Sequence, residues 1–100
     1  MNFCYEPALL DYMHRKNRNT IVVEEITSNN SDFEITELHV HLIDDKRADF
    51  FKTKKGYFCI STENGFVLLP PFHLQYEDTV TFGLKSFLGI KYVTYQGIRQ

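Results

Sequence analysis

Residues 33–43 (FEITELHVHLI) alternate with period two. A strand sends successive side chains to opposite faces, so Ile35, Glu37, His39, His41 and Ile43 share one face while Leu38, Val40 and Leu42 share the other. This predicts a half-buried strand with its aliphatic face inward. The segment before it, Thr20 to Thr27 (TIVVEEIT), is rich in β-branched residues and predicts a second strand. Between them, Ser28-Asn29-Asn30-Ser31-Asp32 reads as a polar turn, because each side chain can bond nearby backbone.

The rest of the chain extends this pattern. Gly56 opens a predicted strand over Tyr57 to Thr62, and Glu63-Asn64-Gly65 is a hairpin signal, since Asn and Gly tolerate the positive φ of a tight turn. Phe66 to Leu69 returns as its partner, and Pro70-Pro71 stops the pairing because neither residue can donate to a ladder. Thr79 to Leu84 and Lys91 to Tyr95 read as two further strands, with Lys85 to Gly89 turning the chain between them. Phe72 to Glu77 is predicted as a connector. The charged stretch 44–55 is predicted as a loop or short connector whose Phe50 and Phe51 tuck against the core. One helix is predicted over residues 6–16: Pro7 suits a first turn, Leu9, Leu10 and Met13 recur at helical spacing, and His14, Arg15 and Lys16 suit the last turn. The expected architecture is α+β, a short N-terminal helix packed on a curved, mostly antiparallel sheet, in a single domain spanning residues 1–100.

Aromatic residues make up 15% of the chain, which favours sheet. The net charge of -2 argues against a nucleic-acid partner, because such a protein must neutralise phosphates. A local basic stretch (Lys46, Arg47, Lys52, Lys54, Lys55) is interrupted by Asp49 and preceded by Asp44 and Asp45, and reads as a solvated loop. No apolar run approaches the roughly 20 residues that span a bilayer, and the N-terminus lacks the pattern of a signal peptide. The expectation is a cytoplasmic protein with no membrane partner. Cys4 and Cys59 are too few for a disulfide framework and fit no zinc spacing. Cys59, between Phe58 and Ile60, is expected to be buried as a small hydrophobe. Cys4, near the chain end, is expected to be exposed.

The sharpest chemical candidate is Glu37, His39 and His41. On one strand face they offer two imidazoles and a carboxylate, a plausible divalent-metal set. The alternative is the wet face of a half-buried strand. The sequence names no further protein ligand of fixed position, with His73 the distant histidine that a fold could bring near. Glu24 and Glu25 are adjacent on a strand and face opposite ways, so they cannot serve one substrate as an acid–base pair. No glycine-rich phosphate loop is present. No catalytic residue emerges, and the expectation is a non-enzyme.

Taken in order, several segments resemble a known family. Pro7 to Tyr12 (PALLDY) leads into TIVVEEIT, a turn, an alternating strand, the hairpin GYFCISTENGFVLLP, and the closing segment Leu84 to Ile98 (LKSFLGIKYVTYQGI). This order resembles the HesB-like proteins, the fold of A-type iron–sulfur cluster carriers, and most closely their short branch with a Cys-Cys or Cys-selenocysteine motif. The resemblance implies paired thiols in the turn after the β-branched strand, yet the matching Ser28-Asn29-Asn30-Ser31 holds no cysteine. It also implies a Cys-x-Cys pair near the C-terminus, where Tyr95 to Gln100 has none. Ser and Asn do not replace thiolate as cluster ligands. The expectation is therefore a HesB-like interaction or structural protein without cofactor, meeting a protein partner or a second copy. A divalent-metal protein built on Glu37, His39 and His41, or an iron–sulfur or redox role for Cys4 and Cys59, stands as the alternative. Phe50, Phe51, Phe72 and Tyr76, stranded in or beside connectors, are the candidate contact residues unless they plug the core.

Overall fold

The β-branched segment and the alternating segment pair as one long antiparallel hairpin. In the computed structural model, which describes residues 1–72 and 74–100, β2 (Thr20–Asn30) and β3 (Phe33–Ile43) match from Thr20 opposite Ile43 to Asn30 opposite Phe33. The ladder runs further than predicted. Ser28, Asn29 and Asn30 belong to the strand, and only Ser31-Asp32 turn the chain.

The other elements are β1 (Asn2–Tyr5), α1 (Pro7–Lys16), α2 (Asp45–Thr53), β4 (Phe58–Thr62), β5 (Gly65–Leu69), β6 (Gln75–Phe87) and β7 (Ile90–Arg99). They form two sheets rather than one, with orders β3-β2-β5-β4 and β1-β6-β7. Both sheets are mixed, because β2 runs parallel to β5 and β1 parallel to β6. The α+β class is as expected; the single sheet and single helix are not.

α1 follows its sequence signals. Pro7 occupies the first turn, Leu9 and Met13 are buried on the inner face, and Asn17 ends the helix in a left-handed conformation at φ 53°. Its N–H donates to the His14 carbonyl, and the Arg18 N–H donates to that of Met13, so the final turn is satisfied.

α2 corrects the expectation of a loop at 44–55. The segment is mostly charged, so its apolar signal reduces to Ala48 and Phe51, three residues apart on one face. What starts the helix is Asp44, whose carboxylate accepts the Arg47 N–H at 2.8 Å. Phe51 is then 1% exposed and packs 4.9 Å from the Tyr57 ring. The expectation that this ring tucks into the core holds, while Phe50 faces outward.

The core has two parts, and β2 and β5 contribute to both. Ile21, Val23, Val67 and Leu69 face the other sheet and meet Val80, Phe82, Ile98 and the inner face of α1. Val22 and Leu68 face the opposite way, where Ile43, Ala48, Phe51 and Tyr57 cover them. A strand buried on both faces reads as a continuous apolar run, which accounts for Ile21-Val22-Val23.

Truncating Phe51 to Ala should cost about 3–5 kcal/mol of unfolding free energy in urea. Phe50→Ala should cost far less, and Asp44→Ala about 1 kcal/mol. Equal losses at Phe50 and Phe51 would contradict this placement of α2.

Candidate functional site

The face of β2 and β3 that carries α2 is covered at one end only. Beyond the helix it presents Glu24, Glu37, His39 and His41. The register sets Glu24 opposite His39 and Val22 opposite His41. The His39 Nε2 lies 3.1 Å from Glu37 Oε2, and the two imidazole rings are 5.9 Å apart. His41 does not join that pair. Its Nε2 lies 3.7 Å from Glu24 Oε2, and Lys55 Nζ stands 4.0 Å from the other oxygen of Glu24. Each imidazole thus engages its own carboxylate. Among the described residues, no three of His, Cys, Asp and Glu converge closely enough to hold a metal ion. His73 lies outside the described residues.

Glu24 is the member that sequence reasoning missed. Alternation correctly separates it from Glu25, but only the cross-strand register brings it beside the histidines. Burial lowers the pKa of His41 from its ordinary value of 6.5, against the upward pull of the Glu24 carboxylate; His39 and Arg47 lower it further.

The two cysteines sit on exterior faces of different sheets, and both are exposed free thiols. Phe3 and Tyr5 turn into the core, so Cys4 between them points out. Cys59 corrects the expectation of burial. It pairs with Leu68 in the edge strand β4 and lines a small cavity of about 200 Å³ with Asp49, Lys52 and Phe66. An edge position, unlike a central one, leaves one side open to water.

The connector rings divide as their surroundings dictate. Phe51 is buried, Tyr76 is half-buried against the core between the sheets, and Phe50 and Phe72 are exposed. The largest apolar exposure lies elsewhere, at the end of the β6–β7 hairpin. Phe87 is 67% exposed, Leu88 86%, Ile90 70% and Tyr92 47%. Phe87 pairs with Ile90, leaving Leu88-Gly89 as a two-residue turn. Both turn residues have positive φ, 51° at Leu88 and 80° at Gly89, as in a type I′ turn. Asn, Asp or Gly is the favoured first residue of such a turn. A leucine held there costs roughly 1 kcal/mol or more of backbone strain. The sequence signal was present in Phe-Leu-Gly-Ile, which lacks the polar residue a turn prefers.

No protein-family model matches the chain, and no curated protein or solved structure is significantly similar to it.

Two measurements check this geometry. In a proton-NMR titration His41 should titrate below 6.5, and Glu24→Gln should lower its midpoint further, because an upward influence is removed. An unfolded chain binds more protons at this site as pH drops below 6.5, so its contribution to stability is complete above that value and is lost as pH falls toward the folded pKa. His41→Gln should flatten that part of the stability profile. A thiol-reactive dye should modify both Cys4 and Cys59 in the folded protein. One reactive thiol would return Cys59 to the interior.

Proposed function

We propose that this chain is a non-enzymatic interaction protein of HesB-like fold that has dispensed with the cluster ligands, and that the end of the β6–β7 hairpin is its contact element. The observation that carries the contact element is Leu88. It is the most exposed large apolar side chain of the described residues, and its left-handed backbone disfavours leucine. Folding gains little from it. A residue that is unfavourable for its turn and idle in the core is explained by what it touches in a complex.

Support for the missing centre comes from the two segments where the resemblance implies thiolates. The β2–β3 hairpin and the C-terminus lie side by side, with the Gln100 amide donating to the Thr36 carbonyl at 3.0 Å. At the matching positions, 28–31 and 95–100, the sequence carries hydroxyl, amide and guanidinium residues and no thiol, with the carboxylates of Asp32 and Glu34 following. Such groups do not bind iron as thiolate does. Two unpaired, exposed thiols suit a reducing compartment and support a cytoplasmic location as part of this reading.

The metal reading keeps one feature in its favour, the two imidazoles side by side on β3. Elemental analysis of protein purified without chelators separates it from the interaction reading. A full equivalent of metal, lost in the His39→Ala, His41→Ala double variant, would replace a contact protein with a metal protein. Iron with acid-labile sulfide would instead restore a cluster role. Little or no bound metal is expected.

The contact element has its own test. A photocrosslinking residue at Leu88 should form adducts in cells expressing the full chain, whereas the same probe at the exposed Phe33 should not. Equal yields at both positions would remove the hairpin end as a dedicated contact.

A further inference from the structure

We infer that the β6–β7 hairpin end docks on an anionic lipid surface, its apolar turn entering the headgroup layer and a collar of cations meeting the lipid phosphates. The inference rests on the reading of the hairpin as a contact element and names the partner.

Shape is the first argument. Phe87, Leu88, Gly89 and Ile90 form the narrow apolar end of a two-stranded hairpin, with Phe87, Leu88 and Ile90 each at least 67% exposed. Three side chains fall short of the roughly 800 Å² per partner that a standard protein interface buries. A fluid interface needs no complementary pocket and accepts a wedge of this kind, with apolar groups sunk about 5–10 Å at the headgroup boundary.

Charge is the second. The last turn of α1 lies beside the hairpin, and Lys91 reaches over from β7 to place Nζ 5.6 Å from the centre of the Tyr12 ring. Lys16 Nζ stands at the same distance from that ring, and the Arg15 guanidinium at 5.9 Å. Lys85, opposite Tyr92, adds a fourth cation next to the turn. Arg15 shares its charge with Asp11 at 3.3 Å. Among the described residues, no carboxylate lies within ion-pair distance of Lys16, Lys85 or Lys91. Local charge is therefore positive although the whole chain carries -2. An apolar end ringed by lysines, with tyrosines at its base, matches the layering of a lipid interface: hydrocarbon, then aromatic and phosphate level, then water.

The same collar disfavours a second copy. Two hairpin ends meeting about a two-fold axis would oppose lysine to lysine. The sequence-based expectation of no membrane partner drew on the lack of a spanning segment. No helix of the described residues is long and apolar enough to cross a membrane, but a docking turn requires no crossing.

The test is flotation of the purified full chain with vesicles of phosphatidylcholine alone and of phosphatidylcholine with phosphatidylglycerol, at low and high salt. Binding should favour the anionic vesicles by at least tenfold and weaken with salt. Leu88→Asn suits the turn backbone, so it should fold with an equal or higher Tm while binding at least tenfold more weakly. The Lys85→Glu, Lys91→Glu double variant should lose the preference for anionic vesicles. Absent flotation, equal flotation with both vesicles, or flotation unchanged by Leu88→Asn would each overturn the inference. Absent flotation with a concentration-dependent dimer that Leu88→Asn abolishes would assign the hairpin end to a second copy, and the contact reading would survive. A lower Tm for Leu88→Asn would instead strike that reading itself.

Discussion

Burial of β2 on both faces is the constraint from which the rest follows. Ile21 and Val23 point into the space between the sheets, and Val22 points under α2. All three are fully buried. The parallel neighbour β5 repeats this arrangement with Val67 on one side and Leu68 on the other. With two adjacent strands enclosed, each flanking element has a defined surface to cover. β6 and β7 close one face with α1, and α2 caps part of the other. Interior contacts of this kind are dense and intolerant of volume change, so they fix the frame from which the hairpin ends project.

The uneven cover over that second face produces the chemistry of the histidine row. α2 is nine residues long and reaches only part of the strands. Glu24 lies at the margin of the covered part, its side chain 15% exposed, with His41 and Lys55 against it. His39 sits further out, with Glu37. The row is thus divided between two carboxylates by the position of a helix that neither histidine signals.

Local signals in the sequence were legible, and long-range ones were not. Pro7, the Leu9–Met13 spacing and the basic last turn locate α1, and Glu63-Asn64-Gly65 locates the β4–β5 hairpin, although its turn is Glu63-Asn64 and Asn64 does not take a positive φ. β1 escaped notice because its four residues pair with Thr79 to Phe82, far along the chain, and in parallel. α2 escaped because charged residues outnumber the two it buries. Cys59 was misplaced because an apolar run says nothing about whether its strand is central or at an edge. The histidines were found and Glu24 was not, since register across a hairpin is a tertiary fact. At 85–89 the sequence marks a turn, but its strands run on to Phe87 and Ile90, and turn residues tell where a chain bends rather than what the bend exposes.

The account depends on the outer end of the β6–β7 hairpin being dispensable for folding and therefore free to serve recognition. Urea unfolding of the Phe87→Thr, Ile90→Thr double variant tests this most directly. The expected result is a free energy within about 1 kcal/mol of the wild-type protein, the scale of one exposed cross-strand pair. A loss of about 3 kcal/mol or more, the scale of a core truncation, would show that these side chains hold the fold together and would contradict the account.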